Sequence, residues 1–427
     1  LREWRWCESR SRSAQPPSLC DHAEGFLVGD RWGNQWIDWS SGVLVTSAGH
    51  SHPKIIEAIR NQIDHKLIYN YCFPTEIRGK LSAKLAAVAP KPGYKAFLLT
   101  TGSEATECAI KLSRAWGLEH HGKDKITIVT FTDAFHGRTM GAQLAGGIPA
   151  LKEWIVNMEP NMVQVPYPDG FRHRDTSFDA FENALADQGV TPDQVAGVMA
   201  ETYPGGSAAF MPVDYMQRLR AWCDEHGVLL TCDEVQAGFG RCGRYWGFEH
   251  YGIVPDLIAC GKGISGGPPL SALVGRADVL DLFPPGSMTS THGGNAIPVA
   301  AALANLEAIE EDRLVEHAAA MGEILHPALA ALKQRYPQRI GMVAGKGLVA
   351  AMQMVEPGST DPDAAAARHI VRRCFEQGVL MFAPVGFGGA SVKISPPLCI
   401  SEPALRESLG VLESAVVETM EQTEVLA

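Results

Sequence analysis

Three short segments combine residue types that could do chemistry with apolar runs that could position them. Leu257-Ile258-Ala259-Cys260 leads into Gly261-Lys262-Gly263, a lysine between two glycines at the end of a buried-strand pattern. Glycine lets the backbone approach a bulky ligand closely, and a lysine in a dry site can lose its proton and attack a carbonyl. A solvated surface lysine is the ordinary alternative. Gly263 stands where a P-loop lysine is followed by Ser or Thr, so this is no triphosphate cradle. In the second segment, Leu229-Leu230-Thr231-Cys232 ends in Asp233. A carboxylate there either caps the next turn or needs a charged partner, and a cationic ring nitrogen would serve. In the third, Ala96-Phe97-Leu98-Leu99 runs into Thr100-Thr101-Gly102-Ser103-Glu104-Ala105. A small-residue turn opening a helix offers free N–H groups and a positive dipole end to a phosphate, although a capping box accounts for the same residues.

Together these segments match the needs of pyridoxal 5'-phosphate. The lysine would hold the aldehyde as a Schiff base, the aspartate would keep the pyridine nitrogen protonated, and the helix start would bind the phosphate. The G-x-G-x-x-G and Walker A fingerprints of dinucleotides and triphosphates are absent from these segments.

The elements that must position them follow from apolar periodicity. Residues 25–39 alternate around Gly29-Asp30 and Trp32-Gly33-Asn34, a hairpin or meander, and Ile55, Ile56, Ile59 and Ile63 put a helix over Pro53–Ile63. Short apolar runs at Ala96–Leu99, Ile126–Phe131, Val195–Ala200, Val228–Cys232 and Leu257–Cys260 alternate with helical stretches such as Ser103–His120 and Val213–His226. That alternation predicts an α/β fold, a mostly parallel sheet covered by helices, with ligands beyond the carboxyl ends of its strands. Helical patterns at Leu306–Leu332 and Ala364–Gln377 flank short strands near Gly347–Met354 and Ser391–Ile394, which reads as a small α+β domain. The expected division is an N-terminal segment 1–50 packing with the small domain, a large cofactor-binding domain 51–305 and a small domain 306–427. No Pro-, Gly- or Ser-rich linker separates them, so rigid docking around a cleft is expected.

Composition narrows the function classes. Among 427 residues, 46% are hydrophobic and 20% charged, with net charge -11, which argues against nucleic acid or an acidic membrane as main partner. No apolar run reaches the ~18 residues that span a bilayer. The basic opening, which does not begin with Met, lacks the apolar stretch of a secretory signal. Ten cysteines, at 7, 20, 72, 108, 223, 232, 242, 260, 374 and 399, form no C-x-x-C pair and fit reduced thiols in a cytoplasm. His50, His52, His120 and His121 lack an accompanying Asp, Glu or Cys set, so no metal is expected. Many of the 43 glycines lie in stretches expected to meet cofactor or partner subunit, such as Gly102, Gly137, Gly261 and Gly263, whereas Gly386-Phe387-Gly388-Gly389 has no cofactor role.

From about Ala23 to Glu418 the chain resembles a class III aminotransferase of the fold-type I pyridoxal-phosphate enzymes. The resemblance rests on Gly49-His50-x-His52-Pro53, Thr101-Gly102-Ser103-Glu104-Ala105, Phe135-His136-Gly137-Arg138-Thr139, Asp233-Glu234-Val235-Gln236-x-Gly238-x-Gly240-Arg241, Gly261-Lys262, Pro269-Leu270-Ser271-Ala272 and Thr291-His292-Gly293-Gly294-Asn295. The segment from Met216 to Gly227 is similar to 4-aminobutyrate aminotransferases. The resemblance implies that Lys262 and Asp233 are the catalytic pair. It implies a cofactor set of Gly102, Ser103, Phe135 stacked on the ring, His136, Gln236 near the 3-oxygen, Glu201 and Thr291, the last from the neighbouring subunit of a homodimer. Arg138 would hold a distal substrate carboxylate, with Val43, Trp36 and Tyr69 as pocket walls.

Two departures bear on substrate. Where 4-aminobutyrate and ornithine aminotransferases carry a Gly-Glu-Gly-Gly segment, this chain reads Glu201-Thr202-Tyr203-Pro204-Gly205-Gly206-Ser207, and Lys393 replaces the Arg that pairs with that Glu. Lysine keeps the charge but loses the bidentate fork for a carboxylate. The expected activity is ping-pong transamination from a 4-aminobutyrate-like ω-amino acid or related amine to a keto acid. A racemase or decarboxylating aminotransferase of the same family is the alternative, and a catalytically silent cofactor-binding or assembly protein a third reading.

Overall fold

The carboxyl ends of six apolar strands lie on one edge of a single sheet, and the chemistry-bearing residues follow them in the chain. The structure, a computed structural model, describes residues 20–426; residues 1–19 of the expected N-terminal segment, with Cys7, lie outside the described residues. The sheet runs in the order Tyr94–Leu99, Ser271–Arg276, Leu257–Cys260, Leu229–Asp233, Val195–Glu201, Thr127–Phe131 and Met162–Val165. Ser271–Arg276 is antiparallel to both neighbours and every other pairing is parallel. All residues of Val195–Glu201, Leu229–Asp233 and Leu257–Cys260 are buried, which explains their mostly apolar sequence up to the carboxylates that end the first two. Helices Gly102–His121 and Val213–His226 cover the sheet, the second burying Leu219, Trp222 and Cys223 and ending at Gly227 in the left-handed conformation. Met162–Val165 and Ser271–Arg276 lie outside the strands expected from sequence. The first has only four residues, and the second carries Gly275 and ends in a charge, so neither stands out as an apolar run.

A second, three-stranded antiparallel sheet joins Ile340–Lys346, Val349–Met354 and Ser391–Ile394. Helix Ala364–Glu376 packs on it, with Ala366, Ala367, Ile370, Val371 and Cys374 buried. The helix expected over Leu306–Leu332 is two helices, Ala296–Glu311 and Leu314–Arg335. Arg313, at φ +52°, turns the chain between them. No Gly or Pro marks this break, which falls in the charged run Glu310-Glu311-Asp312-Arg313 before apolar spacing resumes at Leu314. Pro327 instead lies inside the second helix.

The expected N-terminal meander is present as Cys20–Glu24, Leu27–Asp30 and Gln35–Asp38. Its last turn is set by Asp30 Oδ1, which accepts the amides of Trp32 and Asn34 at 2.9 and 3.0 Å. Gln35–Asp38 pairs in parallel with Val379–Leu380, which fastens the meander to the chain that follows helix Ala364–Glu376.

Arg241 ties these parts together. Fully buried, it donates to Leu348 O at 3.0 Å, Pro396 O at 2.5 Å and Ser41 Oγ at 3.3 Å. Burial works against its charge. Removing the guanidinium strands two carbonyls in a dry interior, so Arg241→Ala is expected to lower the unfolding free energy by about 2–4 kcal/mol in urea denaturation. A loss within ~0.5 kcal/mol, the range of a neutral surface substitution, would refute this bracing role.

Candidate active site

Two carboxylates stand side by side where adjacent parallel strands end. Glu201 and Asp233 are register partners on Val195–Glu201 and Leu229–Asp233, and both are buried. Asp233 Oδ2 lies 2.7 Å from His136 Nδ1, and Oδ1 accepts the Val235 amide at 3.0 Å. Glu201 accepts the amides of Phe135 at 2.8 Å and Gly205 at 3.1 Å. Burial pushes the Glu201 carboxyl up to about 7, helped by the charge of Asp233 and opposed by His136. Burial disfavours the charged form of His136, but its bond to Asp233 and the two negative charges outweigh that and raise it above the usual histidine range. His136 Nε2 is buried without a partner among the described residues.

The helix start beside this pair carries a capping box and still has free first-turn amides. Thr101 is the N-cap, and Glu104 accepts the amides of Thr100 and Thr101, both at 2.8 Å, so the capping box is real. It leaves the amides of Gly102 and Ser103 without an acceptor among the described residues, as expected for a first helical turn. Ser103 Oγ accepts the Arg138 amide at 3.2 Å. Gly137, at φ +137°, lies so close that a Cβ there would stand 2.2 Å from Ser103 Oγ. Thr106 Oγ1 donates to His136 O at 2.8 Å, joining this helix to the Phe135-His136 turn.

Lys262 follows Leu257–Cys260 with φ +40°, half-buried, and lines a cavity of about 770 Å³. Desolvation holds its ammonium below the ordinary lysine range, against the pull of Asp233 and Glu201. Asn305 Nδ2 secures the lysine turn by donating to Gly263 O at 2.9 Å and Ile264 O at 3.1 Å. Ser271 Oγ, from the antiparallel strand, donates to Thr101 O at 2.6 Å and fixes the neighbouring turn.

Phe135, Arg138, Gln236, Val43 and Lys393 share that cavity with Lys262. Arg138 is exposed, lies 5.3 Å over the Phe135 ring, and its guanidinium has no acceptor among the described residues. Lys393 is buried and donates to Gly205 O and, at 2.6 Å, to Gln236 Oε1. Burial and the charge of Lys262 push it down to about 7. Trp36, expected as a pocket wall, is a correction. Its indole N–H donates to Phe375 O at 2.9 Å and its ring stacks on Phe375 at 5.0 Å, so pairing of Gln35–Asp38 beside Val379–Leu380 carries it away from the cavity. Tyr69 and Thr291 also lie outside the cavity, exposed, with Tyr69 OH donating to Thr291 O at 3.0 Å. His50 bonds Asp38 at 2.7 Å, His52 faces Asp312 at 3.3 Å, and His120 stacks on Trp116.

Sequence reasoning missed Asp133, Phe171 and Arg172 in the cavity wall, and left Gly386–Gly389 without a role although that segment lines the cavity too. Only the glycine cluster carried a signal in the sequence. The donor set fits pyridoxal 5'-phosphate: free first-turn amides for the phosphate, a buried carboxylate for a cationic ring nitrogen, and a desolvated amine for the aldehyde.

Residues 9–416 match the family described as Aminotransferase class-III. The chain is 33% identical over 415 residues to a probable 4-aminobutyrate aminotransferase of Bacillus subtilis, covering 93% of each. It is 32% identical over 422 residues to a leucine/methionine racemase of Thermococcus litoralis, covering 96% of this chain and 93% of the relative. The solved structure of an omega transaminase from Pseudomonas jessenii in complex with PMP superposes with a TM-score of 0.88 at 26% identity, over 95% of this chain and 93% of that one.

The proton-binding geometry predicts a pH effect on the cofactor-free protein. With the folded-state pKa of Glu201 raised from 4.5 to about 7, the folded chain holds a proton that the unfolded chain releases. The resulting stability is complete below pH 4.5 and lost as pH rises through 7; the raised His136 has the same sign at higher pH. Glu201→Gln should flatten the decline in unfolding free energy across this window. Equal slopes in the two proteins would count against a buried, proton-holding Glu201.

Proposed function

Because the chain belongs to the class III aminotransferases, a pyridoxal 5'-phosphate-dependent family, we propose that it moves the amino group of a 4-aminobutyrate-like ω-amino acid to a keto acid by a ping-pong cycle. The observation that carries the substrate class is Arg138, a guanidinium without a protein acceptor among the described residues, in the cavity that holds Lys262. An ω-amino acid spans such a site with its carboxylate on the arginine and its amine toward the lysine. The 4-aminobutyrate name of the Bacillus subtilis relative supports the same class.

When bound, pyridoxal phosphate supplies an aldehyde that takes up amino groups and a ring that draws electrons from the reacting carbon. The protein's part is then binding, orientation and proton movement. Gly102 and Ser103 would offer their amides to the phosphate, and Phe135 would pack against the ring. Asp233, oriented by His136, would face the ring nitrogen, and Glu201 fixes the Phe135 backbone next to His136. Gln236, whose Oε1 is taken by Lys393, has its amide NH2 left to donate to the ring's 3-oxygen. Lys262 Nζ, whose charged form desolvation disfavours, would take the proton from the amine-bearing carbon and hold it.

A homodimer completes this reading, with Thr291 of the neighbouring subunit reaching the phosphate. Exposed Ile68, Tyr69, Tyr71 and Phe73 supply an apolar surface beside Thr291 suited to a second copy. A cytoplasmic site of action agrees with the buried free thiols Cys108, Cys223, Cys232, Cys242, Cys260 and Cys374. No helix among the described residues is long and apolar enough to cross a membrane.

A second reading, racemisation or decarboxylating transfer, draws on Lys393, a second buried amine in the same cavity, and on the racemase relative. A panel of 4-aminobutyrate, β-alanine, ornithine and a diamine against 2-oxoglutarate and pyruvate separates the two. Transamination gives parallel double-reciprocal plots and a keto or aldehyde product equal to the amine consumed. If no donor transfers its amine, while chiral analysis shows an amino acid losing its configuration without any keto acid present, racemisation replaces the main reading.

A further inference from the structure

The cavity contains a second arginine on a phenylalanine ring, and neither residue belongs to the cofactor set. Arg172 Cζ lies 3.5 Å from the centroid of Phe387. Its backbone is fixed by Asp169 Oδ1, which accepts three consecutive amides, Phe171 at 2.9 Å, Arg172 at 2.8 Å and His173 at 3.0 Å. Arg172 Nη1 donates to Asp133 Oδ2 at 2.5 Å, while Nε and Nη2 have no acceptor among the described residues. Asp133 stands just past strand Thr127–Phe131 in the left-handed region, φ +63°, held by its amide's bond to Gly147 O at 3.1 Å. Asp133, Arg172 and Phe387 all line the cavity that holds Lys262 and Arg138.

Phe387 is presented by the glycine cluster that the cofactor does not explain. Gly386, Gly388 and Gly389 have φ of +70°, +60° and +67°, and a Cβ on Gly386 would stand 2.8 Å from Gly206 O. The loop can therefore press against the Gly205-Gly206 turn of the large sheet only with glycine there. It is closed by the Val385–Ser391 bridge, and Ser391 Oγ donates to Gln353 Oε1 at 2.7 Å. A guanidinium lying flat on an aromatic ring keeps its in-plane N–H groups available, and Arg pairs carboxylates through two parallel hydrogen bonds.

We propose that Arg172, on its Phe387 platform, is a second carboxylate subsite, with Asp133 as its resident counter-ion, and that it admits a dicarboxylic substrate of the 2-oxoglutarate type. This rests on the reading above in which Arg138 takes one carboxylate. With a monocarboxylate substrate on Arg138, the Asp133–Arg172 pair stays closed and no unpaired cation is left in a partly dry cavity. A dicarboxylate adds its second carboxylate at the open Nε–Nη2 edge of Arg172. Both side chains are partly exposed, 23% for Arg172 and 31% for Asp133, so the pair can share or exchange its anion without stranding a deeply buried charge.

Calorimetric titration of the holoenzyme with glutarate, a dicarboxylate with no group to transfer, and with butyrate tests the subsite independently of turnover. Arg172→Gln should weaken glutarate by about tenfold or more, the loss expected for a charged hydrogen-bonded pair, and change butyrate less than about twofold. Arg172→Lys should recover part of the loss, and Asp133→Asn, which removes the competing anion, should tighten glutarate. In turnover, Arg172→Gln should raise KM for 2-oxoglutarate with little change in kcat. Equal effects on glutarate and butyrate, or none on either, would overturn the subsite. If the wild-type enzyme binds glutarate through Arg172 yet transfers no amino group, the subsite stands and the transaminase reading fails.

Discussion

The buried carboxylate pair at the ends of Val195–Glu201 and Leu229–Asp233 sets the terms for everything around it. Two negative charges side by side in a dry interior are unstable unless something answers them. Here the answers are His136 on Asp233, two backbone amides on Glu201, and a proton that Glu201 keeps to about pH 7. The Phe135-His136 turn is placed by this demand, because it supplies one amide to Glu201 and the imidazole to Asp233. A cationic ring nitrogen, such as that of pyridoxal phosphate, would suit the charge of Asp233.

The same edge is completed by groups whose own bonds point inward. Glu104 is spent on the Thr100 and Thr101 amides, Ser271 on Thr101, and Asn305 on the turn after Lys262. Each fixes the backbone of a turn at that edge. Arg241, in the chain after the first sheet's Leu229–Asp233, donates to Leu348 O and Pro396 O beside the second sheet, while Lys393 and the Gly386–Gly389 loop of the second sheet meet the Gly205-Gly206 turn of the first. The cavity is therefore a property of two sheets held at fixed distance, and its apolar and cationic walls come from both.

Much of this was legible beforehand because the chemistry is local to strand ends. An apolar run followed by Asp233, by Gly261-Lys262 or by Thr101-Gly102-Ser103 identifies strand, edge and reactive group in a few residues, and the five expected strands are present within one or two residues of their bounds. The helix break at Arg313 and the strand Ser271–Arg276 escaped because neither carries a decisive local mark: one is a charged run without Gly or Pro, which a solvated helix turn could equally hold, the other reads as a mixed segment. Trp36 was misplaced for the complementary reason. An aromatic residue in a meander has no sequence feature that says which neighbour it meets, and pairing with Val379–Leu380 sent it to Phe375.

By itself the sequence determined which residues could bind a phosphate, hold a ring nitrogen and offer an amine, since those depend on residue type and on neighbours within a few positions. It also determined an alternating strand and helix pattern that places such groups at one sheet edge. Only the tertiary structure decided which ends are adjacent: Glu201 beside Asp233, Lys393 on Gln236, Asp133 on Arg172, and Phe387 beneath that arginine. Those pairs join residues 32 to more than 200 positions apart. Strand order and sheet-to-sheet packing bring them together, and these arise from the summed burial of many side chains, not from any motif that a short stretch of chain can carry.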